Sequence, residues 1–242
     1  PHSWSMIENE LGILKGDYAP KQCAFTMKKV GEAIENLPFK ELPKSEIDAV
    51  CVIPYQESSY MSIASSAYIL AKQAGINMTF MYCENYNAEI PDAKLYVIPG
   101  YGFWPTMNVN VYKAICEKVK NGASLLVTTE SNTLVNSREV FQIATKGIKK
   151  APETFVADFG EYKLPISYAT KYLAYSTGAE VLAKDSDGTV IFSKNNYGKG
   201  STYFLNFPIE KYTFDNTDSF ISHPYYKIYQ TVAQDILKDK PA

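Results

Sequence analysis

Histidine is almost missing from this chain: His2 and His223, near opposite ends, are the only two in 242 residues. That leaves little room for a multi-histidine metal centre or an internal imidazole base. Arginine is scarcer still, with Arg138 alone, and 24 basic residues stand against 26 acidic ones for a net charge of −2. Nucleic-acid binding, which relies on basic patches and guanidinium contacts, is a poor fit. No run of about 18 apolar residues occurs, so no segment reads as a membrane span. The first ten residues lack a basic stretch followed by an apolar one and do not read as a signal peptide. The chain also starts without methionine, which suggests a fragment or processed form, so the expected compartment stays open between cytoplasmic and secreted.

Two more absences bear on chemistry. Cys23, Cys51, Cys83 and Cys116 share no C-x-x-C spacing and three sit in apolar periodic segments, so they read as free structural thiols. No phosphate-binding fingerprint is present: Gly100-Tyr101-Gly102 lacks the G-x-G-x-x-G spacing, and no G-x-x-x-x-G-K-[ST] occurs. Gly198-Lys199-Gly200 falls between two strand-like runs and reads as a hairpin turn rather than an anion nest. No cofactor and no metal are expected.

What is abundant is apolar and aromatic: 46% hydrophobic residues, with 19 tyrosines. Residues Pro20 to Leu37 place Cys23, Met27, Val30, Ile34 and Leu37 at helical spacing, and Pro38 to Glu46 reads as a linker. Alternation follows. Ala49 to Pro54, Ile76 to Cys83, Leu95 to Pro99 and Ser124 to Thr129 are short apolar runs; Tyr60 to Gly75 and Val109 to Lys120 are helical between them. Short strands separated by helices predict right-handed crossovers and a parallel, doubly wound sheet. After Ser131 the rhythm becomes antiparallel, with strands expected over Thr154–Tyr168, Ala179–Ala183, Thr189–Lys194 and Ser201–Asn206, and a closing helix over Pro224–Leu237.

The strand and helix order of residues 48 to 132 resembles a class I glutamine amidotransferase-like domain, a flavodoxin-like relative. At the place of that family's G-x-C-x-G nucleophile elbow stands Thr128-Thr129-Glu130-Ser131-Asn132, without the cysteine or the flanking glycines, and no histidine follows until His223. The resemblance therefore implies the fold without the activity. Residues 93 to 207 further resemble the β-galactosidase trimerisation domain of family 42 glycoside hydrolases. The resemblance rests on Ala93 to Gly100, Val119 to Thr128, Val181 to Ala183 and, most specifically, the Tyr197-Gly198-Lys199-Gly200 turn with its aromatic strand to Leu205. It implies a non-catalytic domain that helps subunits associate.

Trp4, Gly12-Ile13-Leu14, Asp17 and Pro20-Lys21 resemble the end of a clan A (β/α)8 glycosidase barrel. The resemblance implies that Trp4 is a remnant of a sugar-stacking platform, with simple packing the competing reading. In such barrels the catalytic glutamates lie on strands upstream, so Glu8 and Glu10 read as solvated loop acids.

The expectation is thus an α/β fold: a flavodoxin-like, glutamine amidotransferase-like three-layer sandwich with an antiparallel β extension (residues 45–240), preceded by a terminal βα segment of a barrel and a linker (residues 1–44). The expected role is a non-catalytic accessory domain of a glycoside hydrolase. Its expected partners are an upstream barrel, further copies of itself, or an oligosaccharide. Two alternatives are a carbohydrate-binding module using Tyr55, Tyr60, Tyr86, Tyr101, Phe103 and Trp104, and an enzyme rebuilt around Glu130. Candidate ligand-binding residues are Trp4, Tyr101, Phe103, Trp104 and Glu130.

Overall fold

A computed structural model describes residues 12–39, 41, 46–54, 58–83, 89–100, 107–129, 136–150, 154–167 and 170–238. The chain divides into two compact units, residues 1–45 and 46–242. In the first, a turn closed by Lys15 N donating to Ala19 O (2.8 Å) and Lys21 N donating to Ile13 O (3.0 Å) leads into helix α1, Gln22–Glu35. Among the described residues α1 buries none of its own.

The second unit is built on a nine-stranded sheet. Its parallel part comprises β1 (Ala49–Ile53), β2 (Met78–Tyr82), β3 (Leu95–Ile98) and β4 (Ser124–Thr128), with helices α2 (Ser58–Gln73) and α3 (Val109–Lys120) between them. Every residue of β1 is buried, and its side chains alternate between two cores. Ala49, Cys51 and Ile53 enter one with Ile63, Ala67 and Leu70 of α2, while Val50 and Val52 enter the other with Val111, Ile115 and Val119 of α3. A continuously apolar strand is what coverage on both faces demands. α3 has the predicted bounds: Asn108 caps it by accepting from Asn110 N, and Asn121-Gly122 ends it.

After β4 come the short helix α4 (Ser137–Val140), β5 (Ile143–Lys150), β6 (Phe155–Asp158), β7 (Lys163–Ile166), β8 (Thr170–Ser176), β9 (Glu180–Lys184), β10 (Val190–Tyr197) and β11 (Gly200–Leu205). Helices α5 (Ile209–Asp215), α6 (Ser219–Ser222) and α7 (Tyr226–Ile236) close the chain. The large sheet runs β2-β1-β3-β4-β11-β10-β9-β6-β7, and β5 and β8 form a separate pair. The unit is therefore mixed α/β around one large mixed sheet.

Three expectations change here. Thr154–Tyr168 is not one strand but the hairpin β6–β7, because Gly160 (φ +82°) turns the chain. The strand expected at Ser201–Asn206 is not purely part of an antiparallel extension: β11 pairs parallel with β4 on one side and antiparallel with β10 on the other, joining the two regimes. β5, β8, α4, α5 and α6 fall outside the expected elements; the lysine-rich Ile143–Lys150 and the four- to seven-residue helices carry no clear hydrophobic period.

The Tyr197-Gly198-Lys199-Gly200 segment is a two-residue hairpin turn, as predicted, and its glycines have a packing reason. A Cβ on Gly200 would lie 1.8 Å from Ala123 O and 2.4 Å from Val119 O. Gly198, at φ +65°, would place a Cβ 2.6 Å from Lys120 Cα. Lys199 N donates to Lys120 O at 2.9 Å, so the turn caps the end of α3 and its amide is committed to a carbonyl.

Candidate functional site

In parallel α/β sheets ligands collect at the carboxyl ends of the strands. Here those ends are Gly100, Thr128-Thr129 and Asn206 to Pro208, after β3, β4 and β11. Gly100 is held tightly, because a Cβ there would sit 3.1 Å from Pro208 Cβ and 3.2 Å from Thr128 O. Its amide donates to Thr128 Oγ1 at 2.8 Å. That hydroxyl donates in turn to Glu210 Oε2 at 2.6 Å, and the Tyr229 hydroxyl donates to Glu210 Oε1 at 2.7 Å. Asn206 ties neighbouring backbone together, its amide donating to Tyr172 O (2.8 Å) and Val190 O (3.1 Å).

Glu210 is 0% exposed. Burial pushes its carboxyl up to about 6, against the lowering effect of the Thr128 and Tyr229 hydroxyls. Both carboxyl oxygens already accept hydrogen bonds from within the protein. The group is thus a clamp joining β3, β4, α5 and α7, not an acid presented to a substrate. The Thr129 hydroxyl, next to Thr128 in sequence, is buried without a hydrogen-bond partner among the described residues.

The thiols offer no nucleophile at this place. Cys51, Cys83 and Cys116 are buried, and burial raises the Cys83 thiol to about 11 and lifts that of Cys116 as well. Cys23 is exposed on α1, so it is not the buried packing thiol its periodic context suggested. His223 pairs with Ser222 Oγ (3.0 Å) and its ring tilts against Tyr225. Among the described residues no cluster of three or more His, Cys, Asp or Glu side chains could hold a metal ion, and no helix is long and apolar enough to cross a membrane.

The candidate ligand-binding residues Trp4, Tyr101, Phe103, Trp104 and Glu130 all lie outside the described residues, as do Glu8, Glu10, Tyr55, Tyr86 and Ser131. Of the aromatic set proposed as a sugar-stacking surface, Tyr60 is described, and it is 6% exposed in the core beneath α2, which removes it from that surface. Glu210 escaped sequence reasoning. A glutamate soon after a strand reads as exposed, and its partners stand 82 and 19 residues away in the chain.

The sequence matches no protein-family model and no curated protein. Solved structures share the fold. The exo-β-1,4-mannosidase Op5Man5 from Opitutaceae bacterium strain TAV5 superposes with a TM-score of 0.70 at 14% identity, over 95% of this chain and 43% of that one. Gan42B, a GH42 β-galactosidase from G. stearothermophilus, gives 0.66 at 13% identity, over 93% of this chain and 35% of that one. The cytoplasmic protein STM1381 of Salmonella typhimurium LT2 gives 0.56 at 13% identity, over 78% of this chain and 99% of that one. The chain thus spans less than half the length of the two glycosidases and nearly all of the Salmonella protein. Its fold is one that glycoside hydrolases contain as part of a longer chain.

Proposed function

We propose that residues 46–242 form a non-catalytic accessory domain of a glycoside hydrolase, and that residues 1–45 are the terminal βα unit of that enzyme's barrel. The strand order β2-β1-β3-β4-β11, parallel throughout, favours a flavodoxin-like, amidotransferase-like origin for the domain. The clamp at its strand ends fits a fold kept for packing and subunit association.

One observation carries the barrel assignment. Along α1, Met27 (59% exposed), Val30 (54%) and Ile34 (61%) form an apolar row that Leu37 continues just past the helix end, all facing solvent. A helix of 14 residues is marginal alone in water. Burying four such side chains is worth on the order of 10 kcal/mol gross. The row fits a helix evolved to lie against a surface, as the outer helices of a barrel lie against its strands.

The reading frame upstream of Pro1 tests this. The proposal expects ~200 or more further residues of alternating strands and helices, with two catalytic carboxylates at strand ends. A frame that opens within a few residues of Pro1 would overturn it.

A further inference from the structure

A groove of about 290 Å³ lies on the second unit, sharing helix α7 with the strand-end clamp but lined by none of the clamp's side chains. It is lined by Phe159, Glu161 and Tyr162 of the β6–β7 turn, Leu182 and Phe192 of β9 and β10, and Lys227, Gln230, Thr231 and Gln234 on α7. We propose that this groove binds a neutral saccharide of one or two pyranose units.

The aromatic wall is built in advance. Phe159 and Tyr162 stack with centroids 5.0 Å apart and ring planes 6° apart, and Phe192 tilts against Phe159 at 6.2 Å. The turn that carries them is closed by Phe159 N donating to Tyr162 O (3.0 Å) and Gly160 N donating to Asp158 Oδ1 (2.8 Å). The Thr231 hydroxyl beside it donates to Lys227 O at 3.0 Å. The Lys227 ammonium covers the electron-rich face of the Tyr162 ring, 5.1 Å from its centroid. The C–H face of a pyranose is the neutral counterpart of that ammonium, and a displaced Lys227 would offer its N–H donors to the sugar hydroxyls.

The polar wall matches hydroxyl groups. Gln230 and Gln234, one helical turn apart on α7, are exposed and have no side-chain partner among the described residues. Each amide both donates and accepts, as each sugar hydroxyl does, whereas an anion or cation would need one sign only. Glu161 and Lys227 cancel in charge. The volume stands at the lower edge of the usual range for small-molecule sites, ~300–1,000 Å³, which limits the occupant to one or two rings.

Saturation-transfer NMR and calorimetric titration of the whole chain with lactose, cellobiose and mannobiose test the site, with adenosine and inorganic phosphate as counter-probes. The expected result is transfer from irradiated aromatic protons to the sugar C–H protons of at least one disaccharide. The Gln230→Ala, Gln234→Ala double variant, altered only on an exposed helix face, is expected to raise Kd by roughly tenfold. Tyr162→Ala is expected to abolish the transfer. The proposal is overturned by no transfer from any of the three at ~20 mM, well above a millimolar Kd, by an affinity that the double variant leaves unchanged, or by preference for adenosine or phosphate. It goes beyond the accessory-domain reading and does not depend on it: a silent groove leaves that reading standing, and a short upstream frame leaves the groove standing.

Discussion

The Thr128 hydroxyl reaches across 82 residues of chain to the wholly buried carboxyl of Glu210, 2.6 Å away. This bond fastens the carboxyl end of the parallel sheet to the helical segment that follows β11. It also lies at the carboxyl ends of parallel strands, where ligands collect in α/β sheets.

The Glu210 carboxyl, lifted by burial to about 6 from an ordinary 4.5, makes stability depend on pH. A folded-state value above the unfolded one means that the folded protein holds the proton more tightly. The stabilisation is complete below about pH 4.5 and is lost as pH rises through about 6, a swing of about 2 kcal/mol. Urea denaturation of the native chain and of Glu210→Gln between pH 4.5 and 7.5 should show this slope in the first and its loss in the second. Parallel pH profiles would contradict it. Asp235 acts in a separate window: burial raises its carboxyl, but hydrogen bonds from Lys194, Tyr203 and Lys238 outweigh that and bring it to about 2, so its contribution fades only below pH 4.

Gly200 faces backbone, not a side chain that could move aside. Gly200→Ala must displace Ala123 O or the hairpin itself, and should destabilise the second unit by about 3 kcal/mol. Gly188 is the control: its added Cβ meets open space, but φ is +77°, so Gly188→Ala should cost about 1 kcal/mol. Equal midpoints for the two variants would refute the close-packing account of the Tyr-Gly-Lys-Gly turn.

Much of this is legible in the sequence. β1 and α3 stood out because an apolar run and a strong helical period, each bounded by turn residues, admit one reading. The hairpin at Gly198 was legible for the same reason. The clamp was not, because Gly100, Thr128, Glu210 and Tyr229 come from four separate segments and glutamate defaults to the surface. The groove hid likewise: its aromatic wall and its amide wall lie some 70 residues apart, and a single glycine, Gly160, is a weak signal for the turn that splits Thr154–Tyr168. β11 looked like any strand after a hairpin; its parallel pairing with β4 depends on the long connection between them.

The Lys171 ammonium and Asp185 carboxylate form a buried ion pair, while the second carboxylate near that lysine, Asp187, is about half exposed. Asp185 also accepts from the backbone of Asp187 and Thr189, each at 2.9 Å. Asp185→Ala removes the buried carboxylate paired with Lys171 and opens the turn, and should cost about 3–5 kcal/mol. Asp187→Ala should cost under ~1 kcal/mol. Thermal unfolding of the two variants decides the matter, and a similar loss in both would show that the buried pair is not the anchor.

On α1, Val30→Glu with Ile34→Glu places charge on the exposed apolar row. Self-association and binding of a hydrophobic dye should fall, while the unfolding midpoint of residues 46–242 stays within about 0.5 kcal/mol of the native chain. A large loss of stability would mean that the row is already covered within the chain.

The accessory-domain proposal holds that this polypeptide is part of a glycosidase and has no turnover of its own. Incubating the purified 242-residue chain with 4-nitrophenyl β-galactoside and β-mannoside tests it most directly. The account predicts nitrophenol release at the buffer rate, whatever the protein concentration. Turnover that scales with protein concentration and saturates with substrate would contradict it.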